Sequence, residues 1–170
     1  MSVIQRVLSV GCAFFLFLSL VMHLATFLDL AFPWAYLMVP VLFVLLPLIV
    51  WQWRRVPRRN LVLEIFGAIP RWMKITTALL FAYIAFSVVY CYGWLEGGIP
   101  LKLEDGRFVL QRGQAILRVL SEQEYLHALA LQSRLLTAQL FAFYGLGMIA
   151  LQAFYIKTGP AMADAKVSGP

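Results

Sequence analysis

Two histidines, one arginine and one glutamine are the side chains with which this sequence could do chemistry inside an apolar setting. His23 lies within the first long apolar run, about seven residues from its end. An ionisable group at such depth costs enough to be a functional suspect, as a ligand or a proton-handling group, unless a neighbouring helix satisfies it. Gln139 lies about four residues inside the matching end of the last apolar run. The two could share a depth, and a hydrogen bond between them across the bundle would leave His23 a neutral interhelical contact. That plainer reading is the one adopted. Arg134 stands where the last run enters the bilayer. It reads as an interfacial anchor with a snorkelling stem, ahead of a substrate-binding group. Haem ligation by His23 and His127 is disfavoured because His127 falls about two turns outside Arg134, beyond the depth of His23. His127 reads as a solvated helix residue.

Other chemistry is not signalled. There is no P-loop, dinucleotide fingerprint, HExxH, paired intramembrane carboxylate or Ser/His/Asp set. Cys12 and Cys91 fall at opposite depths and form no CxxC or Cys/His cluster, so neither a disulfide nor a metal framework is expected. No cofactor and no catalytic residue is assigned.

The elements that position these residues follow from hydropathy. Of 170 residues 62% are hydrophobic and 13% charged, and the mean hydropathy is +0.83. Soluble domains hold about 25% charged residues, so a water-soluble globule is excluded. The formal charge of +6 does not indicate nucleic acid, because 6 of the 14 basic residues fall between Arg54 and Lys74, beside apolar runs. Four runs approach the roughly 20 residues that a hydrocarbon core requires: about Val7–Leu30, Pro33–Trp53, Trp72–Tyr92 and Leu135–Ile156. The first exceeds a signal-peptide core and no A-x-A site follows it, so it is expected to remain as a helix. With a cytoplasmic N-terminus, the inner side carries nine basic and two acidic residues and the outer side five basic and six acidic. The positive-inside rule then places both termini in the cytoplasm. The predicted fold is a single all-α membrane domain over 1–170, a four-transmembrane-helix bundle with an extracytoplasmic β-meander insert over 95–134 between helices 3 and 4.

Several details refine the bundle. Pro40 and Pro47 are each expected to remove a backbone bond and bend the second span. Residues 61–69 are too short to span and predict a helix at the cytoplasmic interface. Ala78, Ala82 and Ala85, and Ala138, Ala142 and Gly145, form small-residue stripes for close helix approach. Trp34, Tyr36, Trp51, Trp53, Trp72, Tyr92 and Trp94 cluster near the run ends, as interfacial rings do.

In the insert, Asp105-Gly106 between alternating residues predicts a two-residue hairpin turn. That register pairs Leu103 with Phe108 and Leu101 with Leu110, and places all four on one apolar face. A second turn at Arg112-Gly113 leads to a third strand. Ser121 and Glu124 have capping-box spacing, so a helix is predicted to start there and run unbroken into the last span. Glu104, Asp105, Glu122 and Glu124 are thereby explained as turn and cap residues.

His23-Leu24 with Thr26-Phe27, the Pro70-Arg-Trp-Met73 entry, the segments DGRFVL and GQAILRVLSEQEY, and Arg134 followed by Phe143-Tyr144 resemble a group of uncharacterised bacterial four-helix inner-membrane proteins. The resemblance covers most of the chain and implies a bacterial inner membrane, but no activity. Those relatives commonly carry Ser-Gly-His after the arginine, where this chain has Thr137-Ala138-Gln139. A two-histidine site, if the group has one, would be half missing here. Three function classes remain: a non-enzymatic accessory or protein-binding subunit using the insert; a small transporter or channel using His23 and the proline-containing second span; and, least favoured, an intramembrane haem or metal protein. The partners expected are the lipid bilayer and a protein partner, without nucleic acid.

Overall fold

A computed structural model describes residues 3–53 and 61–167. The basic cluster Arg54–Arg59, on which the orientation argument leans, lies outside the described residues. Among the described residues, four helical segments are long and apolar enough to cross a membrane: Val3–Leu28, Pro33–Trp53, Arg71–Leu95 and Glu122–Lys157.

Helix α1 (Val3–Ala25) continues as a 3₁₀ turn, Thr26–Leu28, closed by Asp29 in the left-handed region at φ 56°. A second 3₁₀ turn, Pro33–Leu37, opens on proline, and α2 (Met38–Trp53) follows it. Pro40, expected to cost a backbone bond, stands in the first turn of α2. An N–H there has no partner within its own α-helix in any case, so the proline marks the passage from 3₁₀ to α geometry. Pro47 is the one inside the helix. Helix α3 (Leu61–Ala68) is the short helix expected, and Ile65, Ala68 and Ile69 pack into a core with Leu8, Trp53, Leu151 and Phe154. Helix α4 (Arg71–Leu95) ends on Glu96 in the left-handed region, followed by Gly97.

Helix α5 runs over 46 residues, Glu122–Val167. At 1.5 Å per residue that is about 69 Å, more than twice the roughly 30 Å hydrocarbon core. It is also the hub: over an apolar 18-residue stretch of each span, 50% of the residues are buried in α5, against 28% in the first span and 17% in the second and third. The other helices pack around it rather than on one another. Small residues permit this: a Cβ on Gly145 would lie 3.3 Å from Leu80, and one on Gly147 3.3 Å from Ile49. Ala138 and Ala142 are buried as expected, whereas Ala78, Ala82 and Ala85 are exposed. The small stripe of α4 therefore faces away from α5.

Between α4 and α5 lies an antiparallel meander, β1 (Ile99–Lys102), β2 (Phe108–Arg112) and β3 (Ala115–Leu120), in that spatial order. The first hairpin differs from the predicted register by one residue: Leu101 faces Val109, and Lys102 faces Phe108. Its loop holds three residues rather than two. The Leu103 carbonyl accepts the Gly106 N–H at 3.0 Å, the Arg107 carbonyl accepts the Leu103 N–H at 2.9 Å, and Gly106 has φ 85°. This is a turn completed by a left-handed glycine, the three-residue hairpin alternative. A one-residue slip moves side chains to the other face. Leu101 and Leu103 therefore share a face with Val109, while Phe108 and Leu110 point the other way, so the single face expected of those four leucine and phenylalanine residues is split.

Phe108, Leu110, Leu117 and Leu120 form the inward face, packed on Cys91 and Leu95 of α4 and on Tyr125, Ala128 and Leu131 of α5. Leu117 is the bulged residue of β3 that lets Leu110 face Arg118 and Gln111 face Ile116. The capping box forms as expected: Ser121 N–H donates to the Glu124 carboxylate at 2.8 Å, and Glu124 N–H to the Ser121 hydroxyl at 3.3 Å.

Candidate functional site

While Gln5, Gln52 and Thr77 are buried towards the far end of the bundle, one group of buried polar side chains gathers at the insert end. Ser19, His23, Thr26, Ser133, Arg134 and Thr137 are all buried there or one turn below. In an apolar medium each must find a partner, since a polar group buried alone costs about 1–3 kcal/mol.

His23 does not meet Gln139. Its Nδ1 lies 3.0 Å from the Thr137 hydroxyl of α5, and its Nε2 is hydrogen-bonded to the Tyr83 hydroxyl of α4. The proton roles follow from the partners. Thr137 directs its own hydroxyl proton at the Ser133 carbonyl, 2.8 Å away, so it accepts from His23 Nδ1–H. That leaves Nε2 as an acceptor for the Tyr83 O–H, which is the neutral Nδ1 tautomer. The ring thus bridges three spans, and Tyr83 and Phe27 both meet it edge-on. The relay ends on carbonyls of α5, Ser133 and, at 3.2 Å, Arg134. It supplies no continuous path along the bundle.

Arg134 is more deeply placed than an interfacial anchor requires. It is 9% exposed; Nε donates to the Thr26 hydroxyl at 3.2 Å and Nη2 to the Thr26 carbonyl at 2.8 Å. Its guanidinium lies 4.1 Å from the Phe27 ring centre. Among the described residues no carboxylate pairs with it. The 3₁₀ turn at Thr26 makes this possible, because leaving α geometry turns that carbonyl out towards α5. Thr26 in turn donates to the His23 carbonyl at 2.7 Å, joining the arginine and histidine sites. The loop after α1 is fixed to the same stretch of α5 by Phe32 N–H, which donates to Ser133 Oγ at 2.9 Å.

A second linkage lies farther out. Arg118 of β3 stacks 5.0 Å over Trp94, which meets His127 edge-on at 5.1 Å, and His127 Nδ1 lies 2.7 Å from Asp29 Oδ1. His127, expected to be merely solvated, thus joins α5 to the end of the first span and to the insert. It is remote from the His23 contacts, and among the described residues no group of three or more His, Cys, Asp or Glu side chains comes together.

Gln139 turns instead into a cavity of about 360 Å³ with Gln132, Tyr36 and Tyr92, under Gly97-Gly98 of the insert. Of the sequence candidates, then, His23 and Arg134 meet in one site through Thr26, Gln139 is in another, and the insert residues divide between two sheet faces. Thr137, Thr26 and Tyr83 were not singled out as site residues. Thr26 and Arg134 stand in the segments that carry the family resemblance, whereas Tyr83 sits in an ordinary apolar run and gives no signal.

No family model matches this chain, and neither a curated protein nor a solved structure does.

Proposed function

We propose that this chain is a non-enzymatic multi-pass protein of a bacterial inner membrane that docks a protein partner on the outward face of its insert. The observation that carries the reading is that the meander presents exposed apolar residues on the face turned away from the helices. One face is sealed against α4 and α5. The other holds Ile99, Leu101, Val109, Gln111, Ile116 and Val119, which share a side by register; Val109 is fully buried at its centre, and Ile99, Ile116 and Val119 are 50%, 51% and 59% exposed. A half-solvated antiparallel sheet ordinarily alternates apolar and polar. An outward apolar face points to an interaction surface. Leu101 keeps its place in this surface, while Phe108 and Leu110 leave it for the core.

The orientation belongs to the same proposal: the excess of basic residues beside the α3 end favours cytoplasmic termini and an extracytoplasmic insert. The bacterial setting rests on the resemblance. A photo-crosslinking residue at Ile116, activated in native membranes, is expected to give a discrete adduct with a second protein, and Val119→Asp is expected to abolish it while the chain still inserts. Adducts with lipid alone or with another copy of the chain would refute the reading.

A further inference from the structure

The cavity that receives Gln139 has a chemistry of its own. It lies between α4 and Tyr36 of the 3₁₀ turn that precedes α2, beneath Gly97–Ile99 of the insert, and α5 forms its floor through Gln132, Leu135, Leu136 and Gln139. Those positions are one stripe of a helix, three and four residues apart. On the next turns the same stripe floors a second cavity of about 310 Å³, through Phe143, Leu146, Gly147 and Ala150, this one between α2 and α4 and closed at its far end by α3. From Gln132 to Ala150 the two extend over roughly 27 Å of helix.

The two cavities differ in kind. The one at the insert end presents two carboxamides and two phenols, and the other is almost wholly apolar. No charged side chain lines either. Gln132 Nε2 reaches the Tyr36 hydroxyl at 3.3 Å, whereas the Gln139 carboxamide has no hydrogen-bond partner among the described residues. Trp34, Tyr36 and Tyr92 are exposed at this level, where amphipathic rings mark the headgroup region. The volumes suit a small molecule rather than another helix, whose diameter is about 10 Å.

We propose that the insert-end cavity is the headgroup site of one neutral amphipathic lipid, with its chain lying in the apolar cavity on the next turns of α5. Uncharged donors and acceptors select an uncharged head that offers hydroxyl or carbonyl oxygens. An anionic phosphate head would find no cation there, and its burial would cost more than neutral hydrogen bonds return. The gap between α2 and α4 admits the chain sideways from the bilayer. Gly97 shapes the rim: it has φ 68°, and a Cβ there would lie 2.6 Å from the Tyr92 hydroxyl. This site shares only Ile99 with the outward sheet face, and none of the substitutions that test it lies on that face, so it stands or falls apart from the docking reading.

The test is native mass spectrometry of the delipidated full chain in mild detergent, titrated separately with dioleoylglycerol, decylubiquinone and dioleoylphosphatidylglycerol. One equivalent of dioleoylglycerol or decylubiquinone is expected to bind at least tenfold more tightly than dioleoylphosphatidylglycerol, and whichever of the two binds tighter identifies the head as alcohol or quinone. Gln139→Leu is expected to weaken that binding about fivefold to tenfold, the equivalent of about one lost hydrogen bond. Tyr92→Phe, which removes one oxygen and keeps the ring, gives a milder loss in the same direction. Leu136→Trp, which fills the floor, is expected to abolish binding, while Val89→Ala on the exposed face of α4 leaves it unchanged. Equal or tighter binding of the anionic lipid, no saturable neutral binding, or unaltered affinity in both Gln139→Leu and Tyr92→Phe would overturn the proposal.

Discussion

Thr137→Val isolates what the buried polar tie contributes. The substitution keeps the side chain's shape and replaces its hydroxyl by a methyl group. The hydroxyl's contacts with His23 Nδ1 and with the Ser133 and Arg134 carbonyls are all lost, but only the first loss leaves a group stranded. The Ser133 carbonyl belongs to the α5 ladder, whereas His23 Nδ1–H has Thr137 as its acceptor, 3.0 Å away in a buried site. Orphaning such a donor costs about 1–3 kcal/mol in general. Interhelical hydrogen bonds in membranes average about 0.6 kcal/mol and reach about 1.7. A loss of about 1–2 kcal/mol is therefore expected. Thr77 provides the matched comparison, being 3% exposed with its hydroxyl donated only to Met73 O of its own helix, at 2.8 Å. Thr77→Val strands nothing and should cost under about 0.5 kcal/mol. The assay is reversible unfolding in mixed micelles as the SDS fraction rises, followed by tryptophan fluorescence. In a His23→Leu background the cost of Thr137→Val should largely vanish, because the stranded donor is no longer present. Equal costs at Thr137 and Thr77, or an undiminished cost in the His23→Leu background, would refute the hydrogen-bond assignment.

Four further expectations concern the insert. Gly106→Ala, at φ 85° with nothing within 4 Å of the new Cβ, should cost about 1 kcal/mol for conformation alone. Gly97→Ala adds a collision with Tyr92 and should cost about twice that, read as faster amide exchange of the meander. Ser121→Ala removes the N-cap of α5 and should cost about 1 kcal/mol, read as faster exchange of the Tyr125 N–H, which donates to Ser121 O. The Arg107 side chain, hydrogen-bonded to Asp105, holds the Asp105 carboxyl below its ordinary pKa of 3.8. A lowered native pKa gives stability that is present above 3.8 and is lost as pH falls through the native value. Exchange of the Arg107 N–H, which donates to Asp105 Oδ1 at 3.0 Å, should therefore rise specifically in strong acid, and Asp105→Asn should remove that acid dependence.

What the sequence determined by itself were properties set by single segments. Four spans follow from runs of about 20 apolar residues, because an unpaired backbone is intolerable in hydrocarbon and a helix pairs its own. The capping box at Ser121 and Glu124, the unbroken passage into the last span and the meander order are likewise local, each fixed by residues within a few positions of one another. The hairpin register was a narrower matter. Asp105-Gly106 is compatible with either a two- or a three-residue loop, and the face that packs on Tyr125 and Leu131 decides between them, through side chains distant in sequence.

Partners across the bundle were the tertiary structure's decision. His23 could have reached Gln139, Thr137 or Tyr83 on depth alone. Depth fixes height along the membrane normal, but the rotation of each helix about its axis is set by packing. Ala138, Ala142, Gly145 and Gly147 bring α1, α2 and α4 onto α5 and turn Thr137 towards His23 and Gln139 towards the cavity beneath Gly97-Gly98. The residue types that chemistry could use were legible in the sequence. The rotation that sorted them into a closed polar tie and a separate neutral cavity exists only once the helices are packed.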